Sequence, residues 1–156
     1  MNQVKHRTDR IDWDTYFMQI AYSTAQRSPD PNTQVGAVIV DDMNRIVSTG
    51  YNGLPYRMDN TDINWAREGD ELEQKYKFVI HAEQNALLNA KCDLTNHVIY
   101  VTLFPCATCA KLISQAGITT VYYNENNIPD TDFMASTHIL KCSNISVIKL
   151  NTEIKK

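Results

Sequence analysis

The sequence contains no long apolar run. Its 156 residues include no stretch near the roughly 20 consecutive apolar residues that a membrane helix requires. Residues 1–10 are polar, whereas a secretory signal would carry an apolar segment there. We therefore expect a cytoplasmic protein that has no membrane partner.

Glycine and proline are also scarce, with five residues of each, and there is no internal repeat or low-complexity tract. Hydrophobic residues make up 43% of the chain and charged residues 21%, which excludes disordered, collagenous and fibrous proteins. Two domains within this length would each be too small for a core of their own. We predict a single domain over residues 1–156, with a loop insertion at about residues 53–78 where polar and turn-forming residues dominate.

An excess of positive charge is missing as well. The formal net charge is −3, so the molecule as a whole repels phosphate backbones. Long nucleic acids are therefore poor candidate partners. A small anionic substrate remains compatible with this charge, because one or two local Arg or Lys side chains suffice to bind it.

Cysteine is limited to four residues, Cys92, Cys106, Cys109 and Cys142. They could form disulfides in a secreted chain, but nothing in the sequence suggests export. Metal binding or redox chemistry is therefore the more relevant question. For Cys92 and Cys142 we predict buried free thiols, as is usual for this residue type.

Hydrophobic periodicity predicts alternating helices and strands. Apolar residues at three-and-four spacing indicate helices, and short apolar or β-branched runs indicate strands. The predicted helices are residues 13–27, 81–91, 106–116 and 132–141, and the predicted strands are residues 35–40, 45–51, 98–103, 119–123 and 145–150. This order predicts an α/β fold, a three-layer α/β/α sandwich in which a mixed sheet of about five strands has helices on both faces.

Two short motifs open consecutive predicted helices, each after a strand. They are His81-Ala82-Glu83 and Pro105-Cys106-Ala107-Thr108-Cys109. Because helix N-termini align beyond the carboxyl ends of the strands, His81, Cys106 and Cys109 can converge on one metal ion. Three protein ligands leave the fourth position of a zinc ion open for water, as in catalytic rather than structural zinc sites.

Glu83 lies two residues after His81, where its carboxylate could shuttle protons beside the metal without displacing a ligand. His-x-Glu together with Pro-Cys-x-x-Cys is the signature of zinc nucleobase deaminases. Each element also has a simpler interpretation: the CxxC pair as a redox dithiol, His81 as a helix cap, and Glu83 as a first-turn acid. Their joint occurrence favours one catalytic Zn²⁺ ion.

Longer sequence blocks accompany these motifs. They are Trp13 with residues 16–18 (YFM), then residues 25–28 (AQRS), 30–37 (DPNTQVGA), 50–53 (GYNG), 81–86 (HAEQNA), 100–111 (YVTLFPCATCAK) and 115–118 (QAGI). With these blocks the chain resembles the deoxycytidylate (dCMP) deaminases of the cytidine deaminase-like superfamily over most of residues 13–125. The resemblance implies hydrolytic removal of the 4-amino group of dCMP, giving dUMP for thymidylate synthesis, with Glu83 as the catalytic acid and base.

The resemblance also implies a set of substrate-binding residues. Asn52 would bind a sugar hydroxyl, Arg27 the 5′-phosphate and the Ala82 backbone N–H the base, while Tyr123 would wall the base pocket. Simpler interpretations remain: Asn-Gly is a common turn pair, a cation is favoured at the end of a helix, and tyrosine is ordinary in a strand.

Family likeness further implies a homo-hexamer that binds dCTP as activator and dTTP as inhibitor between subunits. The chain departs from many relatives in the region used for this control, where residues 54–59 are LPYRMD after the retained Asn52-Gly53. Ile128-Pro129-Asp130 likewise stands where relatives often have a tyrosine followed by an acid. The resemblance therefore leaves effector control and substrate handling open.

Three other functional classes share features with this sequence. A tRNA adenosine or other polynucleotide deaminase of the same fold would need an electropositive surface, which the net charge opposes. A noncatalytic module would close the zinc site with a further ligand such as Cys92. A redox dithiol formed by Cys106 and Cys109 would leave His81 and Glu83 without roles.

Overall fold

The computed structural model describes residues 4–58 and 63–153. Helices and strands follow the predicted order: α1 Trp13–Ala25, β1 Gly36–Val40, β2 Ile46–Tyr51, α2 Ala82–Asn89, β3 Val98–Leu103, α3 Ala107–Gln115, β4 Thr120–Glu125, α4 Asp130–Cys142 and β5 Ser146–Lys149. No helix within the described ranges has the length and apolar content needed to cross a bilayer.

The strands form one mixed sheet in the order β2-β1-β3-β4-β5. β1 is antiparallel to β2 and β3, whereas β3, β4 and β5 run parallel. Gly36 at the start of β1 pairs with Tyr51 at the end of β2, and Ala37 pairs with Val101 near the end of β3. The segment that enters β1 therefore lies at the same edge of the sheet as the segments that leave β2, β3 and β4.

Apolar side chains cover both faces of this sheet. On one face, Phe17, Met18 and Ala21 of α1 pack against Val38 and Tyr100. On the other face, buried residues of α2, α3 and α4 pack against sheet residues of the opposite parity, which are Ala37, Ile39, Ile99, Val101 and Val121. The predicted α/β fold with helices on both faces of a mixed five-stranded sheet is confirmed.

Two glycines allow the helices to approach the sheet closely. A Cβ atom on Gly50 would overlap the backbone carbonyl oxygen of Ala82 and the backbone nitrogen of Ala86, both in α2. On the opposite face, a Cβ atom on Gly36 would overlap the carbonyl oxygen of Ala21 in α1. A side chain at either position would force a helix away from the sheet.

We expect Gly50→Ala to lower the free energy of unfolding by about 3 kcal/mol, because the added methyl group meets backbone atoms that cannot move aside separately. Urea denaturation followed by circular dichroism measures this change. Gly53→Ala is the matched control, since the nearest atoms to a Cβ there lie 3.5 Å away or more and belong to side chains. Similar losses of stability in the two variants would contradict the close packing of α2 on β2.

The prediction that Cys92 and Cys142 are buried is wrong, because both are exposed. Cys92 lies in the connection from α2 to β3, and such connections run over the protein surface. Cys142 is the last residue of α4, where its sulfur lies 3.6 Å from Nε2 of the exposed His138. Position in the fold has outweighed the usual preference of cysteine for the interior.

The predicted insertion carries more structure than its polar composition indicates. It contains two short 3-10 helices, Glu71–Glu73 and Lys75–Lys77. Its described part contacts the loop before β1, where Arg67 Nη2 donates to Thr33 Oγ1 at 2.6 Å. Residues 59–62, including Asp59 of the LPYRMD segment, lie outside the described residues.

Candidate active site

His81 and Cys106 occupy the N-cap positions of α2 and α3, two helices that contact each other. The backbone N–H of His81 donates to Gln84 Oε1 at 2.8 Å, which closes the first turn of α2. The backbone N–H of Cys109 donates to Cys106 Sγ at 3.5 Å, which closes the first turn of α3. The capping interpretation of His81 therefore does not compete with metal binding, because the cap position is what points the residue into the site.

The side chains of His81, Cys106 and Cys109 converge as predicted. His81 Nδ1 lies 3.5 Å from Cys106 Sγ and 3.4 Å from Cys109 Sγ. With ordinary zinc bond lengths, a nitrogen and a sulfur on adjacent corners of a tetrahedron are about 3.6 Å apart. The three donor atoms thus have the nature of zinc ligands, and both nitrogen–sulfur distances are close to that expected between two corners of a tetrahedral zinc site.

Within residues 4–58 and 63–153, this is the one group of His, Cys, Asp or Glu whose ligand atoms all lie within 4.8 Å of one another. It contains three residues, and the exposed Cys92 is not among them. A closed structural site with Cys92 as fourth ligand therefore finds no support in the described residues. Three ligands leave one coordination position for water or substrate.

The two thiols of the site are electrostatically different. The pKa of Cys106 is lowered to about 4, chiefly by the hydrogen bond from the Cys109 thiol; His81 and the Cys109 backbone N–H act in the same direction, and burial opposes them. Donating that hydrogen bond, together with burial, raises the pKa of Cys109. Metal binding to this pair would release the Cys109 proton and leave two thiolate ligands.

Glu83 is buried, with 4% of its surface exposed. Burial raises the pKa of its carboxyl group, and the nearby His81 and a hydrogen bond with the Cys109 side chain act in the opposite direction. The Glu83 carboxylate and the Cys109 thiol therefore influence each other's pKa, although Glu83 does not belong to the ligand group itself. A first-turn acid that only balanced the helix dipole would be expected on the surface.

Helix α4 supports the second motif, a contribution that sequence reasoning missed. Ser136 Oγ, fully buried, donates to the carbonyl oxygen of Pro105 at 2.8 Å. Asp132 Oδ1 accepts the backbone N–H of Ala107 at 3.3 Å, at the start of α3. In the sequence, these residues are ordinary members of an amphipathic helix, so no local signal identifies them.

Asn52 lies at the same edge of the sheet as His81. The backbone groups of Gly53 and Ile80 exchange hydrogen bonds of 3.0 and 2.8 Å, which holds the Asn52-Gly53 step beside the residue before His81. Asn52 Oδ1 accepts the Val35 N–H at 2.8 Å, so the side chain joins the end of β2 to the entry of β1. Asn52 therefore does more than form a turn, because its side chain also holds the end of β2 against the entry of β1.

The remaining predicted binding residues are Ala82, Arg27 and Tyr123. Ala82 is the buried first residue of α2, where a backbone N–H has no acceptor within the helix. Arg27 is exposed just after α1, and the next residue, Ser28, donates its hydroxyl to the Asn52 carbonyl oxygen at 2.7 Å. Tyr123 is half-buried and packs edge-on against Phe104, with ring centroids 4.9 Å apart.

Comparison with known proteins places this site in a family. Residues 11–125 match the model of the cytidine and deoxycytidylate deaminase zinc-binding region. The chain is 44% identical to the deoxycytidylate deaminase of Homo sapiens over 87% of this chain and 78% of that protein. It is 40% identical to the deoxycytidylate deaminase of Mus musculus over 97% of this chain and 87% of that protein.

A solved structure is similar as well. The dCMP deaminase from the cyanophage S-TIM5, in complex with dCMP and dUMP, superposes with a TM-score of 0.71 and 28% identity. The match covers 86% of this chain and 94% of that one. The predictions of the fold, the zinc cofactor and the resemblance to dCMP deaminases are confirmed. The chain belongs to the family of cytidine and deoxycytidylate deaminases that share this zinc-binding region.

Proposed function

We propose that the chain hydrolyses dCMP to dUMP and ammonia. The observation that carries this function is the set of three ligands at tetrahedral spacing beside a buried carboxylate that is not a ligand. Substrates of this size suit the net charge of −3, since a mononucleotide needs few cations and a polynucleotide needs many. The relatives named deoxycytidylate deaminase support dCMP over other cytosine compounds.

His81, Cys106 and Cys109 would hold one zinc ion, which when bound supplies a water nucleophile near neutral pH. Glu83 accepts a proton from the attacking water and delivers it to N3 of cytosine as C4 becomes tetrahedral. Glu83 then accepts the proton of the new C4 hydroxyl group and delivers it to the 4-amino group, so that C4=O forms, the C4–N bond breaks and ammonia leaves. Its burial keeps bulk water away from these transfers.

Other residues would orient the substrate. The Ala82 backbone N–H, which has no acceptor within α2, binds the cytosine base. Asn52 binds the sugar beside it, and Tyr123, packed on Phe104 two residues before Cys106, walls the base pocket. Arg27 binds the 5′-phosphate through charge-assisted hydrogen bonds. The adjacent Ser28 is hydrogen-bonded to the Asn52 carbonyl oxygen, which places Arg27 near the residue proposed to bind the sugar.

The wider setting of the enzyme is proposed from family likeness. We propose a single deaminase domain that works in the cytoplasm as a homo-hexamer. Its dUMP would supply thymidylate synthesis, with dCTP as activator and dTTP as inhibitor. The retained Asn52-Gly53 supports this control, and the divergent residues 54–59 are where it would differ from relatives.

Ammonia release tests the substrate class. The purified protein is assayed with dCMP, CMP, dCTP, deoxycytidine and adenosine-containing RNA, each with and without added dCTP or dTTP. We expect dCMP to give the highest kcat/KM of the panel. Preference for the RNA would overturn the proposed function, and indifference to both effectors would overturn the proposed regulation.

Arg27→Ala tests the phosphate contact within the same assay. Loss of a charge-assisted hydrogen bond is expected to lower kcat/KM for dCMP by about 10- to 100-fold and to leave deoxycytidine nearly unaffected. Arg45→Ala is the control, because Arg45 is exposed in the β1–β2 turn at the opposite edge of the sheet. If Arg27→Ala preserves the preference for dCMP, another residue binds the phosphate.

A further inference from the structure

A buried ion pair joins the insertion to the loop before β1. Lys75 is 5% exposed and Asp30 is 2% exposed, and Lys75 Nζ donates to Asp30 Oδ2. Lysine is rarely buried, and removing two charges from water has a desolvation cost that their attraction does not always offset. A buried pair of this kind next to a substrate site calls for a role beyond stability.

Asp30 organises the loop that faces the insertion. Its Oδ1 atom accepts the backbone N–H of Asn32 at 2.8 Å and that of Thr33 at 3.3 Å. Its Oδ2 atom, shared with Lys75, also lies 3.5 Å from Asn52 Nδ2. One carboxylate therefore connects the insertion, the loop and the side chain proposed to bind the sugar.

These contacts fix the orientation of the Asn52 amide. Asn52 Nδ2 donates to the Thr33 carbonyl oxygen at 2.9 Å and faces Asp30 with its second hydrogen. Asn52 Oδ1 accepts the Val35 N–H and retains one further lone pair. Toward a ligand the amide can therefore act as an acceptor, which suits the hydroxyl group of a sugar.

We infer that Lys75 is a positioning residue for the sugar side of the substrate site, acting through Asp30 on Asn52. This inference rests on the proposed function. Without the ammonium group, the Asp30 carboxylate would be buried without a counter-charge, and Oδ2 would lose its lysine donor. The carboxylate would then recruit water or draw Asn52 Nδ2 away from the Thr33 carbonyl oxygen, and the Asn52 amide would no longer be held with Oδ1 toward the sugar.

Lys75→Met tests this role, because methionine keeps an unbranched apolar stem and removes the charge. We expect KM for dCMP to rise about 10-fold, the equivalent of one hydrogen bond, with kcat and zinc content nearly unchanged. Lys77→Met is the matched control, since Lys77 is half-exposed and its ion pair is with the exposed Glu71 at 3.0 Å. The control should change KM less than about 2-fold.

A substrate analogue separates positioning from a general structural role. In the wild type, dCMP lacking its 3′-hydroxyl should have a KM about 10-fold above that of dCMP, and Lys75→Met should reduce this difference to near unity. The double variant Asp30→Asn/Lys75→Met removes both charges, and we expect it to recover most of the discrimination. It also provides a folded comparison if the single variant is unstable.

The outcomes are distinct. Equal weakening of both substrates by Lys75→Met, or an unchanged KM for dCMP, would overturn the positioning role. The positioning role would also be overturned if Lys75→Met and the double variant both kept the full wild-type discrimination between dCMP and its analogue without the 3′-hydroxyl. Failure of the wild type to deaminate dCMP would instead overturn the proposed function, and the sugar assignment with it.

Discussion

Glu83→Gln is expected to lower kcat for dCMP by at least about 1,000-fold while the protein keeps one zinc ion per chain. A positioned general acid or base typically raises the reaction rate about 100- to 10,000-fold, and Glu83 acts both as base and as acid within one turnover. Glutamine has nearly the same shape but cannot accept and return a proton. Because Glu83 is outside the ligand group, its replacement leaves His81, Cys106 and Cys109 in place.

The measurement pairs steady-state ammonia release with zinc analysis of the same sample. Glu153→Gln, which removes an equal charge from an exposed position, is the control and should retain wild-type turnover. Substantial activity in Glu83→Gln would exclude this carboxylate as the proton carrier. Loss of zinc together with activity would show that Glu83 holds the metal site together instead.

Cys109→Ser is expected to weaken zinc retention by more than about 100-fold and to remove measurable turnover. Even residues that only support zinc ligands typically contribute about 10- to 100-fold to metal affinity, and a direct ligand, as we propose Cys109 to be, contributes more. Serine keeps the size of cysteine but does not form a thiolate. Cys109 is fully buried, so no neighbouring side chain can enter from the solvent to replace it.

Zinc release to a chelator, followed with a colorimetric zinc indicator, measures the change. Cys142→Ser is the matched control, because Cys142 is an exposed thiol at the end of α4 and should behave as wild type. The redox hypothesis predicts a different result. If Cys106 and Cys109 were a redox dithiol, Cys109→Ser would abolish thiol exchange without changing the zinc content. An unaltered zinc content in Cys109→Ser would therefore favour that alternative.

The sequence was most informative where the signal is local. Periodicity placed every helix and strand of the described sheet within a few residues, because apolar spacing reflects which face each element buries. The convergence of the three candidate ligands was also predictable, since a histidine and a CxxC pair at helix starts lie close together where strands end at a common edge. The helix predicted over residues 81–91 ends earlier, at Asn89, because Ala90 adopts an extended backbone conformation.

Contacts between distant parts of the chain were not predictable. Lys75 and Asp30 are 45 positions apart, and Ser136 and Pro105 are 31 apart, so neither pair leaves a pattern within one element. The insertion at about residues 53–78 is a prediction from polar composition, and composition carries no information about which loop this segment contacts. The exposure of Cys92 and Cys142 escaped prediction for the same reason, because it depends on where a connection or helix end meets the solvent.

X-ray absorption spectroscopy of the zinc-loaded wild-type enzyme measures how many protein ligands the metal ion has. We expect two sulfur atoms at about 2.3 Å and two nitrogen or oxygen atoms at about 2.0–2.1 Å, one from His81 and one from solvent or substrate. Addition of dCMP should alter the light-atom shell and leave the sulfur shell intact. A shell filled by four protein ligands and insensitive to dCMP would exclude a catalytic zinc ion with an open coordination position.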